Sequence, residues 1–497
     1  MTVRIGCDVV VVGGGSGGCV VAGRLATESD ARVLLVEAGP DYGPRGSGAW
    51  PDDLLDGGAL VTSHDWGYAS GDLPGREPLT FPRARVIGGC SSHNGCVVAV
   101  GCPDDYDRWA AATGDPRWSS EAVRPALAHA LERMRVRTYR EDEVGPFHGA
   151  CLDAAAALGL SRADDLDDLD GGVGFGIEPV NIEQGVRVNA SFAYVDPARA
   201  RPNLEILDRA LCHRIVPGAD GTRVVLWRDG DEVHVDATTV VLAAGAYGSP
   251  AILQRSGVGD PVLLRAAGIT PVLDLPGVGR NLHDHPLVEL EFTGSERLRQ
   301  ALGESAAARF TPEEQTLGKL RSSRSRGPYD LHLFPIAAHE HSLLAGRVML
   351  VVAAMDPLSR GALHIPGPDP EAAPVIDHGY LSDPDGEDLA VLAEGAERAR
   401  ELAAARPLQE LIGAELAVTR ESPLERFHAH YYHPSGTCAM GAADDPLTVC
   451  DGAGRVRGIA GVVVADCSLM PVIPRANTNL PAVMVGERIA DSLLARA

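Results

Sequence analysis

The sequence has no run approaching the ~20 apolar residues of a membrane-spanning helix, so no membrane span is expected. It has no excess of basic residues. Its 44 Lys and Arg stand against 68 Asp and Glu, a net charge of −24, which argues against nucleic acid as a partner. It has no C-x-x-C motif. Its ten cysteines are irregularly spaced, and even the neighbours Cys90, Cys96 and Cys102 read as reduced thiols rather than metal ligands. It shows no internal repeat and no low-complexity tract. A valine run begins at Val9, leaving no room for a signal peptide, and a cytoplasmic location is expected. What is present is 497 residues at 45% hydrophobic content, enough for two to three domains. The acidic balance reads first as a solvated surface and second as a field that attracts a cationic substrate.

The N-terminus carries the strongest pattern. Val9 to Val12 is a buried parallel strand, and Gly13, Gly15 and Gly18 then give G-x-G-x-x-G at a strand-to-helix turn, with Ser16 inside it. The first glycine permits the turn, the second lets backbone approach a pyrophosphate, and the third lets helix pack on strand. A second strand over 32–37 ends in Glu37, an acid placed to accept from ribose hydroxyls. Strand, turn, helix, strand and acid in that order define a dinucleotide site.

A second pattern is the run Arg85-Val86-Ile87-Gly88-Gly89-Cys90-Ser91-Ser92-His93-Asn94-Gly95. Paired glycines and small hydroxyl residues let backbone lie against a bulky planar ligand, with His93 at the contact. Together the two patterns indicate a flavin.

The rest of the chain reads more coarsely. Segment 40–80 is loop, helices run between 106 and 158, and strands lie at 203–207, 222–227 and 239–246. Ser249 and Pro250 read as N-cap and first residue of a helix over 251–256. Segment 303–329 reads as loop. Strands follow at 330–335 and 346–353, a long amphipathic helix at 385–404, a strand at 461–466 and a closing helix from 479. The expected fold is α/β. A discontinuous Rossmann-like flavin domain takes 1–155, 196–286 and 432–497. An α+β substrate domain, a β-sheet flanked by helices, takes 156–195 and 287–431.

These motifs, with 245–259, 277–286, 432–437, 464–466 and 477–479, stand in the order found in the glucose–methanol–choline (GMC) oxidoreductases, which the chain resembles over its whole length. The resemblance implies FAD and oxidation of an alcohol carbon, with hydride passing to flavin N5. Within the family, Gly-Gly-Cys-Ser-Ser-His-Asn looks most like the choline-oxidising members, which implies FAD bonded covalently to His93. It further implies that His433 is the base and Asn479 the group holding the substrate oxygen, with Asn477 next in line should the register slip by two. An unburdened histidine base would titrate at about 6–8. Cofactor-binding residues implied are Gly13, Gly15, Ser16, Gly18, Glu37, Arg85, Gly89, His93, Asn94, Gly95, Asp466 and Asn477.

The chain also departs from the choline-oxidising pattern. Those members hold the substrate cation with a carboxylate, whereas basic Arg321 to Arg326 stands in the corresponding region, and Tyr431 replaces a valine near the flavin. Asp356 falls where an active-site histidine occurs, and with Tyr431 it is a candidate substrate contact. Together with the acidic surface, it points to a polar, amino-bearing primary alcohol, such as an amino sugar, oxidised to the aldehyde, and the resemblance alone implies a setting in secondary metabolism. Oxygen or a separate electron acceptor completes the cycle. The alternatives are a dehydrogenase acting on neutral alcohols and a hydroxynitrile-lyase-like enzyme with structural FAD. His283 and His285 read as structural. Metal binding by His428, His430 and His433, or by the pair His339 and His341, is not expected.

Overall fold

A computed structural model of the chain describes residues 3–495 apart from 59, 72–77, 220, 309, 339–345, 421–423 and 425–427. His339 and His341 lie outside the described residues.

Two seven-stranded sheets organise the molecule. The first is centred on β1 (Val3–Val12), whose buried valines leave no polar face, as a parallel strand covered on both sides requires. β1 pairs in parallel with β2 (Val33–Val36) and with the long strand Asp231–Leu242. Between β1 and β2 runs α1 (Ser16–Glu28). The late strand Val462–Val464 joins this sheet beside Asp231–Leu242, so both ends of the chain build it. The closing helix Asn479–Leu494 packs on the same core.

The second sheet is antiparallel, with central strands Pro286–Gly294, Val348–Ala354 and Leu331–Ala337. Alternate residues of these strands face opposite ways. Val288, Leu290, Leu333, Leu350 and Val352 pack into one core with the helix Glu387–Ala404. Leu287, Phe334, Ile336, Met349 and Val351 face the other way, toward the first unit.

Three local expectations need correction. The helix expected over 251–256 is Gly245–Arg255, with Pro250 inside it. Proline leaves the carbonyl four residues back without its usual donor. Here that carbonyl belongs to Ala246, and the Thr437 hydroxyl donates to it at 2.6 Å. Segment 303–329 is not one loop, since it contains the end of the helix Glu296–Ala308 and the strand Thr316–Leu320. The helix Pro146–Ala157, expected in the flavin domain, places Phe147, Cys151 and Ala154 in the second core.

Candidate active site

Backbone pressed on backbone forms one end of the site. Gly13 has φ +104°, and a Cβ there would come 2.4 Å from the Ala243 carbonyl oxygen. Gly89 has φ +54°, and a Cβ there would come 2.6 Å from the Gly15 Cα. The nucleotide turn and the 85–95 run are therefore in contact through glycine, which alone fits. α1 starts from Gly15 with no side-chain cap, so its first-turn N–H groups remain available to a pyrophosphate. Glu37 accepts from Gly14 N at 2.8 Å and from Gly39 N at 2.7 Å, which fixes the turn and presents the acid at the cavity.

A continuous cavity of about 520 Å³ runs from these turns to the inner face of the second sheet. It is lined by Gly13, Gly15, Ser16, Glu37, Gly89, His93, Asn94, Gly95, Asp466 and Asn479, and further along by Tyr431, His433 and Asn477. Three expected residues do not line it. Gly18 sits under Gly13 and serves packing. Arg85 lies over the Trp66 ring and pairs with Glu371, while Arg83 lines the cavity instead. Asp356 is held by Arg108 at 2.9 Å, Arg475 at 2.9 Å and Arg326 at 3.3 Å. Burial pushes its carboxyl up, but the arginines outweigh it and hold the group below the ordinary carboxylate range. Asp356 is thus a structural acid. With Asp105 it clamps Arg475, two residues before Asn477.

His93 is buried, with its Nε2 free of any hydrogen-bond partner. Its other nitrogen faces the Ser63 carbonyl, and burial lowers its pKa to about 4, so the ring is neutral. A neutral imidazole with one bare, buried nitrogen fits covalent attachment to a flavin. Asp466 accepts from Gly245 N at 2.8 Å and Ser468 N at 2.8 Å, joining the late strand to the start of the Gly245–Arg255 helix.

The two asparagines separate. Asn479 accepts from the Ser16 hydroxyl at 2.7 Å, which places it at the nucleotide turn. Asn477 lies against the hydroxyl of Tyr431 with its own Oδ1 buried and unpartnered. The Tyr431 ring is 4.4 Å from that of His433. Of the two asparagines, Asn477, two positions earlier, is thus the one beside Tyr431 and His433.

His433 is fixed on both sides. Its backbone N–H donates to Asp284 at 2.9 Å, and its Nδ1 lies 2.9 Å from the Nδ1 of His285. The other nitrogen of His285 is buried near the backbone of Met355 and Pro474, with no hydrogen-bond partner among the described residues. One of the two Nδ1 atoms carries the proton they share, and in the tautomer where His433 donates it, His433 Nε2 is the lone-pair nitrogen left toward the cavity. Burial, reinforced by His285, drives the His433 pKa well below the ordinary histidine value. Burial therefore favours the neutral ring, the form that a base requires. His285 was expected to be structural. It is the orienting partner, and the contact spans 148 residues, which spacing could not reveal.

Asp284, His285 and His433 are the one group of described residues close enough to share a metal. Their atoms are already bonded to one another, and Asp284 also accepts from Tyr380 at 3.0 Å. No metal is invoked.

A nucleotide-binding sheet opening on an oriented, neutral histidine defines a flavoprotein oxidoreductase. The chain belongs to the GMC oxidoreductases, whose N-terminal family model matches residues 7–287 and whose C-terminal model matches residues 357–486. It is 31% identical to choline oxidase of Arthrobacter globiformis, over 97% of this chain and 93% of that one. It is 33% identical to 5-(hydroxymethyl)furfural oxidase of Methylovorus sp., over 99% of both chains. Among solved structures, pyridoxine 4-oxidase from Mesorbium loti superposes with a TM-score of 0.85 at 27% identity, covering 98% of each chain. The protein is accordingly an FAD-dependent enzyme of alcohol oxidation. No helix among the described residues is long and apolar enough to cross a membrane.

Proposed function

We propose that the protein oxidises a primary hydroxyl of a polar substrate to the aldehyde, with His433 as base and Asn477 holding the substrate oxygen. The observation that carries this reading is the 2.9 Å contact with His285, which occupies one ring nitrogen of His433 and leaves the other to the cavity it lines. His433 takes the hydroxyl proton as the hydride departs, and a base already neutral needs no prior deprotonation. The Asn477 amide, beside Tyr431, is placed to donate to the oxygen as negative charge develops. FAD, when bound, supplies the hydride acceptor. Gly13, Gly15, Ser16 and the first turn of α1 would hold its phosphates and Glu37 its ribose. His93 would hold the ring covalently.

Similarity to three enzymes named as oxidases favours oxygen as the final acceptor. An amino sugar remains a candidate substrate, but Asp356 is not available to hold its amino group.

The test is anaerobic mixing of the yellow holoenzyme with a panel of primary alcohols. Bleaching of the flavin by at least one of them is expected, with colour returning on admission of air. A flavin that no alcohol bleaches, in an enzyme that cleaves cyanohydrins, would replace this reading with a lyase. Colour that returns only with an added electron acceptor would make the enzyme a dehydrogenase.

A further inference from the structure

The second sheet places an acid on the cavity that no catalytic step uses. Glu314 stands two residues before the strand Thr316–Leu320 and lines the cavity. Among the described residues it has neither a hydrogen bond nor an ion pair, and the charged group acting on it most strongly is another acid, Glu313. Behind it lies Glu178. The backbone N–H of Glu178 donates to the Gln315 carbonyl at 3.0 Å, so the two acids sit just beyond the paired strands Gly174–Ile177 and Thr316–Leu320. Glu178 is fully buried, and neither carboxylate oxygen has a hydrogen-bond partner. Its strongest charged neighbour is Glu314.

A fully buried carboxyl group without a partner, such as Glu178, costs folding energy, and a fold that needed only to pack here would not set it behind a second acid. The contrast within the same cavity is direct. Glu289 also lines it, but faces Arg347 at 3.4 Å. Glu314 has no such cation among the described residues.

The site has a wall suited to the same ligand. Phe334 stacks on Tyr431 with ring centroids 4.8 Å apart and planes 8° apart, and both rings line the cavity. Tyr431 feels both Glu314 and Glu178 and also touches Asn477 and His433. One aromatic residue is thus shared by the reacting end of the cavity and the acidic end.

We propose that Glu314, backed by Glu178 and walled by Phe334 and Tyr431, binds a protonated amino group of the substrate while its hydroxyl lies at His433. This rests on the alcohol-oxidising reading and gives it a substrate class, an amino-bearing primary alcohol. The ammonium supplies the counter-charge and N–H donors that the two acids lack. The aromatic faces add attraction for a cation.

The test uses the holoenzyme and two matched pairs: methyl glucosaminide against methyl glucoside, and para-aminomethylbenzyl alcohol against para-ethylbenzyl alcohol. In at least one pair the amino partner should show a kcat/KM about 10-fold or more above its neutral partner, the scale of one charge-assisted hydrogen bond. Glu314→Gln should collapse that ratio toward one, and Glu314→Asp should restore part of it. Flavin absorbance and melting temperature check that each variant is folded. Benzylamine, which carries no hydroxyl, gives a readout independent of turnover. Its binding, measured by calorimetry, should weaken about 10-fold or more in Glu314→Gln. Neutral alcohols that bleach the flavin, with no preference for the amine in either pair, would overturn the proposal and leave the alcohol reading intact. An amine preference that survives Glu314→Gln would also overturn it. If no alcohol bleaches the flavin, the alcohol reading fails, and benzylamine binding alone decides whether Glu314 is a cation site.

Discussion

The two ends of the cavity are built by different means. At the flavin end, glycine backbones press together, and Ser16, Glu37 and His93 project from turns that local sequence dictates. At the far end, side chains from strands distant in sequence converge on one sheet face. The first kind of site is written into short motifs, because φ, close approach and helix N-termini are local properties. The second depends on which strands become neighbours, and no short motif records that. Asp356 and Glu314 show the difference. Both are acids beside the site. Asp356 is enclosed by three arginines and neutralised, whereas Glu314 meets none among the described residues. Residue type suggested the first, and environment selects the second.

The sharpest way to break this comparison is at the reacting centre. His433→Ala should slow anaerobic flavin reduction by roughly 10²–10⁴-fold, the range for losing a general base, while FAD stays bound. Reduction at the wild-type rate would move the base elsewhere, with His430 the first candidate.

The asparagines divide the two ends more finely. Asn477→Ala should lower the flavin reduction rate by about 10²-fold, as for an oxyanion donor. Asn479→Ala, which loses its bond to Ser16 at the nucleotide turn, should weaken FAD retention more than it slows reduction. The reverse pattern would return the oxygen-holding role to Asn479.

His93 sets the smallest effect. Acid precipitation of the wild-type protein should leave the yellow colour in the pellet, and His93→Ala should release it. Covalent attachment withdraws electron density from the ring, so the variant should also reduce more slowly, by a factor of about 10 or less, below the general-base effect. A colourless wild-type pellet would remove the covalent bond from the account.

The legibility of the chain follows the same division. β1, α1, β2 and Glu37 stand where the glycine spacing puts them, because a βα turn over a phosphate tolerates little variation. The 245–255 helix was misread because Pro250 looks like a helix start, and only the Thr437 hydroxyl, far along the chain, reveals why it is tolerated inside. Asn477 and Asn479 flank the start of the closing helix, and which of them faces His433 depends on what lies opposite each, which spacing alone does not carry. His285 and Glu314 went unseen for the same reason. Their meaning comes from His433 and Glu178, which chain proximity does not supply.

The central claim is that burial and His285 keep His433 neutral, so that it takes the alcohol proton without first losing one of its own. The direct test is the limiting rate of anaerobic flavin reduction by a neutral primary alcohol, followed across pH. The account predicts bleaching whose rate is flat from about pH 6 to 9, because the His433 pKa lies well below that window. A rate that climbs through an ordinary histidine pKa of about 6.5 would contradict it, as would a flavin that no neutral or amino-bearing alcohol reduces.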